Sequence, residues 1–159
     1  MKRAQRYDNP ISIMLCDLDH FKKINDTYGH QSGDLVLKRV VKTIQGNIRS
    51  DIDWLARYGG EEFLIVMPLT SRKGALVIAE RLREIIADIP FVFSEEKVGI
   101  TASFGLASID DWQNDGTISH EELLHCADIF LYRAKQAGRN RVMTGSLTHL
   151  DMPETSAQG

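Results

Sequence analysis

The stretch at residues 53–68, "DWLARYGGEEFLIVMP", reads as two strands joined through Gly59-Gly60, and the fold depends on where that hairpin packs. Glycine adopts without penalty the positive φ that primed turns require, so the pair predicts a tight bend. A bend does not account for Glu61 and Glu62 beside it. Adjacent carboxylates repel, and such crowding persists where something positive, often a metal ion, sits between them.

Upstream, "ISIMLCDLD" (11–19) is an apolar run closing on Asp17 and Asp19, the pattern of a buried strand. The following residues, with Lys22 and Lys23 and a "DTYGH" turn, read as a loop. From Ser32 onward Leu37, Val40, Val41, Ile44 and Ile48 recur at helical spacing. Downstream, a second amphipathic helix starts near Ser71, carries Ala75, Ile78, Ala79, Leu82 and Ile85 on one face, and stops before Pro90. "VGITASFGLAS" (98–108) predicts a strand and "DDWQNDGT" (110–117) a loop. "SHEELLHCADIFLYRAKQAG" (119–138) predicts a helix opened by a Ser119–Glu122 capping box and closed at Gly138. "RVMT" (141–144) supplies a last strand.

The order β-α-β-β-α-β-α-β predicts an α+β fold, one mostly antiparallel sheet with helices packed on it, close to the ferredoxin-like pattern. A right-handed crossover sets the first strand beside the hairpin. Asp17 then meets Glu61 and Glu62 at the sheet edge.

A chain of 159 residues with 43% hydrophobic and 26% charged content makes one domain with a real core. A net charge of −3 with scattered basic residues gives no electrostatic case for a nucleic acid or a membrane surface as partner. No apolar run approaches the roughly 20 residues that span a bilayer. Cys16 and Cys126 stand in apolar surroundings and predict buried free thiols in a reducing cytoplasm. The domain is expected over residues 1–145, with a polar, aperiodic tail over 146–159.

Taken singly, each acid is explained by a strand end or a solvated turn. Taken together, Asp17, Glu61 and Glu62 present the oxygen donors that Mg2+ or Mn2+ prefers, and Mg2+ keeps room for substrate phosphates. Lys22 and Lys23 would balance the charge of a triphosphate. An aspartate such as Asp34 can accept from both donors on guanine's edge, although Asn25 and Asp34 also suit an Asx turn and a helix first turn. His30 alone more often makes a structural hydrogen bond. Lys135 and Arg139, four apart, share a face if the helix continues to Arg139; on spacing alone, complementing the helix dipole is the better reading.

"DLDHFKKINDTYGHQSGD" (17–34), "RYGGEEF" (57–63) and "YRAKQAGRN" (132–140) together resemble the signatures of the GGDEF domain family, the diguanylate cyclases, across about residues 6 to 144. The resemblance implies a palm-like sheet and the joining of two GTP into cyclic di-GMP with release of two pyrophosphates. It implies divalent metal on Asp17, the Leu18 carbonyl and Glu61 with Glu62 assisting, and Glu61 as proton acceptor for the ribose 3′-hydroxyl. Asn25, His30 and Asp34 would contact guanosine, and Phe21 and Gly60 would line the substrate. Lys22 would stabilise the transition state, and Lys135 and Arg139 would hold the outer phosphates. It also implies catalysis as a homodimer in the cytoplasm, with a sensor domain upstream in a longer chain, of the kind that can be membrane-anchored. A catalytically silent GTP-binding module is the alternative. The family's inhibitory product-binding motif, Arg-x-x-Asp, is displaced: Asp53 is in place, but Ser50 stands three before it and Arg49 lies one residue off. Inhibition by product is therefore expected to be weak or absent.

Overall fold

The computed structural model describes residues 9–110 and 118–145. Eleven elements follow in order: β1 (Ile11–Leu18), α1 (Phe21–Tyr28), α2 (His30–Gln45), β2 (Trp54–Arg57), β3 (Glu62–Pro68), α3 (Arg72–Ala87), β4 (Phe91–Phe93), β5 (Glu96–Val98), β6 (Ala102–Ile109), α4 (His120–Gln136) and β7 (Val142–Thr144). The five-stranded sheet runs β2-β3-β1-β6-β7, and β4-β5 form a separate hairpin. Only β6 and β7 pair in parallel; β1–β3, β1–β6 and β2–β3 are antiparallel. The expected α+β sheet is therefore present, with β3 inserted between β1 and β2 in the split β-α-β manner.

β1 is the central strand, and all eight of its residues are buried. Alternate side chains go to opposite layers. Met14, Cys16 and Leu18 join Phe63, Ile65, Phe104 and Leu106 in a core closed by α2 and α3. Ile11, Ile13 and Leu15 join Ala107 and Ile109 beneath Leu123, Ala127, Phe130 and Leu131 of α4. Each fully buried large side chain, such as Phe63 or Phe104, contributes about 1.5–3 kcal/mol. At Gly105 the backbone of α4 crosses β6 so closely that an added Cβ would overlap the Ala127 carbonyl and the Leu131 amide. Cys16 and Cys126 are both buried and free. Among the described residues no helix is long and apolar enough to cross a membrane. The loop expected at 110–117 and the tail at 146–159 lie largely or wholly outside the described residues.

Three local expectations are corrected. Residues Phe21–Tyr28 form helix α1 rather than a loop, because Phe21 and Ile24 bury one face against the core. The strand expected over 98–108 is split: Val98 closes a β4-β5 hairpin, and β6 starts only at Ala102. The β2–β3 connection is not a primed turn: positive φ among the described glycines occurs at Gly29 and Gly138, not at Gly59 or Gly60. Four residues, 58–61, make the bend, and Arg57 holds it by donating from Nη2 to the Gly60 carbonyl at 2.6 Å.

Before β2, Arg49 turns back onto its own chain. Its Nη2 meets Asp53 Oδ1 at 2.6 Å, the Pro68 carbonyl at 2.8 Å and Thr70 Oγ1 at 2.7 Å. The Asp53 side chain is 0% exposed. Removing the guanidinium strands a buried carboxylate, which is costly. Arg49→Ala is expected to lower unfolding free energy by about 2 kcal/mol, read from the urea midpoint; a change under about 0.5 kcal/mol would show the pair to be dispensable.

Candidate functional site

The site grows from the C-terminal end of β1. In the antiparallel β1–β3 register Asp17 stands opposite Glu62, so both side chains leave the sheet on one face. The Leu18 amide donates to the Glu61 carbonyl at 3.3 Å, tying the diglycine bend to the strand. The Glu62 carbonyl accepts from the Tyr58 amide at 2.8 Å and the Gly59 amide at 3.3 Å. A Cβ at Gly59 would stand 2.7 Å from Glu62 Oε2, so a side chain there would make that carboxylate move. The bare backbone thus leaves room for a carboxylate.

From the overlying helix α4, Lys135 Nζ reaches Asp17 Oδ2 at 2.9 Å. Burial pushes the Asp17 carboxyl up from its ordinary pKa, the Lys135 hydrogen bond and charge pull it back down, and Glu62 and then Glu61 push it up again. A buried anion crowded by two more anions is a site that favours a cation. Among the described residues, however, no three His, Cys, Asp or Glu side chains converge as a ready metal cage. Asp17 and Glu62 are register partners, Glu61 lies one residue earlier in the bend, and Lys135 occupies one Asp17 oxygen. The donors are still hard oxygens in the number that suits Mg2+, which takes one or two carboxylates and completes its shell with water and phosphate.

The other expected residues are distributed as follows. Lys22 lies on the exposed side of α1 and pairs with Asp26 at 2.8 Å, not with Asp17. Phe21 is buried at the start of α1. Asn25 faces Gly33 in the first turn of α2, so closely that a Cβ at 33 would overlap Asn25 Oδ1 and stand 3.1 Å from Phe21 Cζ. His30 and Asp34 are exposed in that same turn. Gly60 has open space at its Cα. α4 ends at Gln136, and Arg139 is left-handed at φ 63°, so Arg139 and Lys135 do not share a helical face.

Two grooves flank the end of β1. One, of about 530 Å3, is lined by Glu62, Tyr132, Arg133 and Lys135. The other, of about 460 Å3, lies under α1 and includes Asp19, His20, Lys23 and Lys97. Asn25 and Asp34 line neither. Two contributors went unread in the sequence. Arg57 anchors the bend, although the "RYGG" spelling placed it there. Asp19, read only as a strand end, is buried and carries three side-chain hydrogen bonds.

A family model described as "Diguanylate cyclase, GGDEF domain" matches residues 1–141. The chain is 42% identical over 132 residues to diguanylate cyclase A of Treponema denticola, covering 83% of this chain and 34% of that protein. It is 42% identical over 145 residues to the response regulator PleD of Caulobacter vibrioides, covering 90% and 31%. It thus spans about a third of the length of these curated relatives. Among solved structures it is similar to the active GGEEF domain of a diguanylate cyclase from Vibrio cholerae, with TM-score 0.81 and 37% identity over 90% of this chain and 87% of that one. It is similar also to the GGDEF domain of DgcB from Caulobacter crescentus in complex with c-di-GMP, with TM-score 0.82 and 31% identity over 90% and 82%.

Proposed function

The chain belongs to the GGDEF-domain family of diguanylate cyclases, and from that premise we propose that it condenses two GTP molecules into cyclic di-GMP. In each of two steps a ribose 3′-oxygen attacks the α-phosphorus of the other nucleotide. A P–O ester bond forms, the bond to the β-phosphate bridge breaks, the hydroxyl proton passes to Glu61, and pyrophosphate leaves. In-line transfer of this kind needs an activated hydroxyl and a neutralised leaving group.

Asp17, the Leu18 carbonyl and Glu61, assisted by Glu62, would hold Mg2+ or Mn2+. When bound, the ion supplies polarisation of the phosphoryl oxygens and lowers the cost of the alkoxide. Lys135 and Arg139 meet the outer phosphates, Lys22 swings from Asp26 to the developing charge, and the backbone at Phe21 and Gly60 permits close approach. Asn25, His30 and Asp34 hold guanosine. One chain holds one GTP, so a symmetric product calls for two copies face to face. GTP as substrate places the domain in the cytoplasm, and a sensor domain on a longer chain would control the encounter.

The observation that carries this reading is the Asp17–Glu62 register pair beside the diglycine bend, with Lys135 on Asp17. The test is to fuse the chain to a dimeric coiled coil and incubate it with GTP and Mg2+. Cyclic di-GMP and pyrophosphate in a ratio of one to two are expected; GTP bound but never converted would overturn the proposal.

The guanosine assignment has its own test. Gly33→Ala pushes the end of Asn25 aside and presses on the Phe21 ring, whose Cζ stands 3.1 Å from the added Cβ. It is expected to weaken GTP binding about tenfold at a stability cost of about 1–3 kcal/mol. Unchanged affinity in calorimetry would remove Asn25 from the guanosine site.

A further inference from the structure

The β1 strand ends in a second carboxylate that the chemistry above leaves unused. Asp19 is 5% exposed. Its Oδ1 accepts from Ser103 Oγ at 2.7 Å, and its Oδ2 accepts from Thr101 Oγ1 at 2.7 Å and from the Asn140 amide at 3.0 Å. Three donors on two oxygens engage most of what the carboxylate can accept, so it is committed to neighbouring parts of the fold.

The third donor comes from an unusual turn. Gly138, Arg139 and Asn140 follow one another at φ 110°, 63° and 46°. Left-handed backbone costs a residue with a Cβ, and arginine has no local compensation for it. The turn is held from three sides. The Arg139 amide donates to the Ala134 carbonyl at 3.0 Å, Arg83 Nη1 donates to Asn140 Oδ1 at 3.2 Å, and the Asn140 amide donates to Asp19. Arg83 is fixed in turn by Glu80 at 2.7 Å. The end of α4 is therefore pinned to the end of β1 at two points: Lys135 on Asp17 and Asn140 on Asp19. The first bond would give way if a cation and phosphates took over Asp17 and Lys135. The second involves neither group and survives.

We infer that Asp19 is a positioning residue: through the Asn140 amide it holds the left-handed turn bearing Arg139, and with it the end of α4 bearing Lys135, over the place where the outer phosphates of the nucleotide sit. The inference rests on the cyclase reading and assigns Asp19 no contact with substrate. Asp19→Asn keeps the shape but removes the charge and one acceptor oxygen. A polyphosphate should feel the change, and a monophosphate with the same base should not.

The experiment measures binding of a non-hydrolysable GTP analogue and of GMP, each with Mg2+, to the whole chain. Asp19→Asn is expected to weaken the GTP analogue about tenfold and leave GMP within about twofold. The amide proton of Asn140 is expected to move upfield in NMR as its carboxylate partner is lost. Thr101→Val, which removes one donor and keeps the carboxylate, guards against misfolding and should show a smaller loss in the same direction. Equal loss of both ligands, or loss of neither, with wild-type binding intact, overturns the positioning role alone. Wild-type protein that binds no GTP analogue overturns the cyclase reading and this role with it.

Discussion

Glu61→Gln is expected to end cyclic di-GMP synthesis, lowering turnover by about 10^3-fold, within the range for loss of a general base. The substitution keeps side-chain volume and leaves the bend alone, because the contacts that hold it run through backbone. The Glu61 carbonyl accepts from the Leu18 amide, and Arg57 holds the carbonyls of Gly59 and Gly60. Binding of GTP should therefore fall far less than turnover, by a few-fold at most. Chromatography of the nucleotide products and calorimetry with a GTP analogue give the two numbers. More than about a tenth of wild-type turnover would exclude Glu61 as proton acceptor. Glu62→Gln is the informative companion, since Glu62, not Glu61, stands opposite Asp17. A deeper loss there would exchange the roles of the two glutamates.

The second large effect is on folding. Gly105→Ala is expected to destabilise the domain by about 3 kcal/mol and to lower its melting temperature by roughly 10 °C. The reason is that the obstruction is backbone. A methyl at 105 would overlap the Ala127 carbonyl and the Leu131 amide, and would stand 2.8 Å from Leu131 Cα. No rotamer change relieves that, so α4 must lift from β6. Lifting it unpacks Leu123, Ala127, Phe130 and Leu131 from the sheet. The same motion carries Lys135 away from Asp17, so activity should fall at temperatures where the protein is still folded. Thermal denaturation followed by circular dichroism provides the check; a shift below about 3 °C would mean that α4 accommodates the methyl without unpacking.

What was legible in the sequence follows the strength of the local signal. β1 and β3 announce themselves by long apolar runs, and α4 by its capping box, present as expected at Ser119 and Glu122. The left-handed exit at Gly138 was equally plain. Helix α1 was not, because its eight residues bury only Phe21 and Ile24, too few for a period to show. The diglycine was misread for a different reason. Glycine reports either a positive φ or a close approach, and composition does not tell which; at Gly59 φ is not positive and the neighbour is the Glu62 carboxylate. The meeting of Asp17 with Glu62 followed from placing β1 beside the hairpin. Its partnership with Lys135 did not, because nothing in spacing states how far α4 extends over the strand end. Asp19 was hidden by the same limitation, its partners lying 82, 84 and 121 residues away.

The lysine resting on Asp17 has a consequence for how the molecule takes up its load. At rest the strand tip carries a counter-charge of its own, so under the proposed activity a metal–nucleotide pair would exchange with a sitting tenant rather than enter an empty room. The displaced ammonium would remain tethered to its helix, beside the anionic tail that accompanied the newcomer.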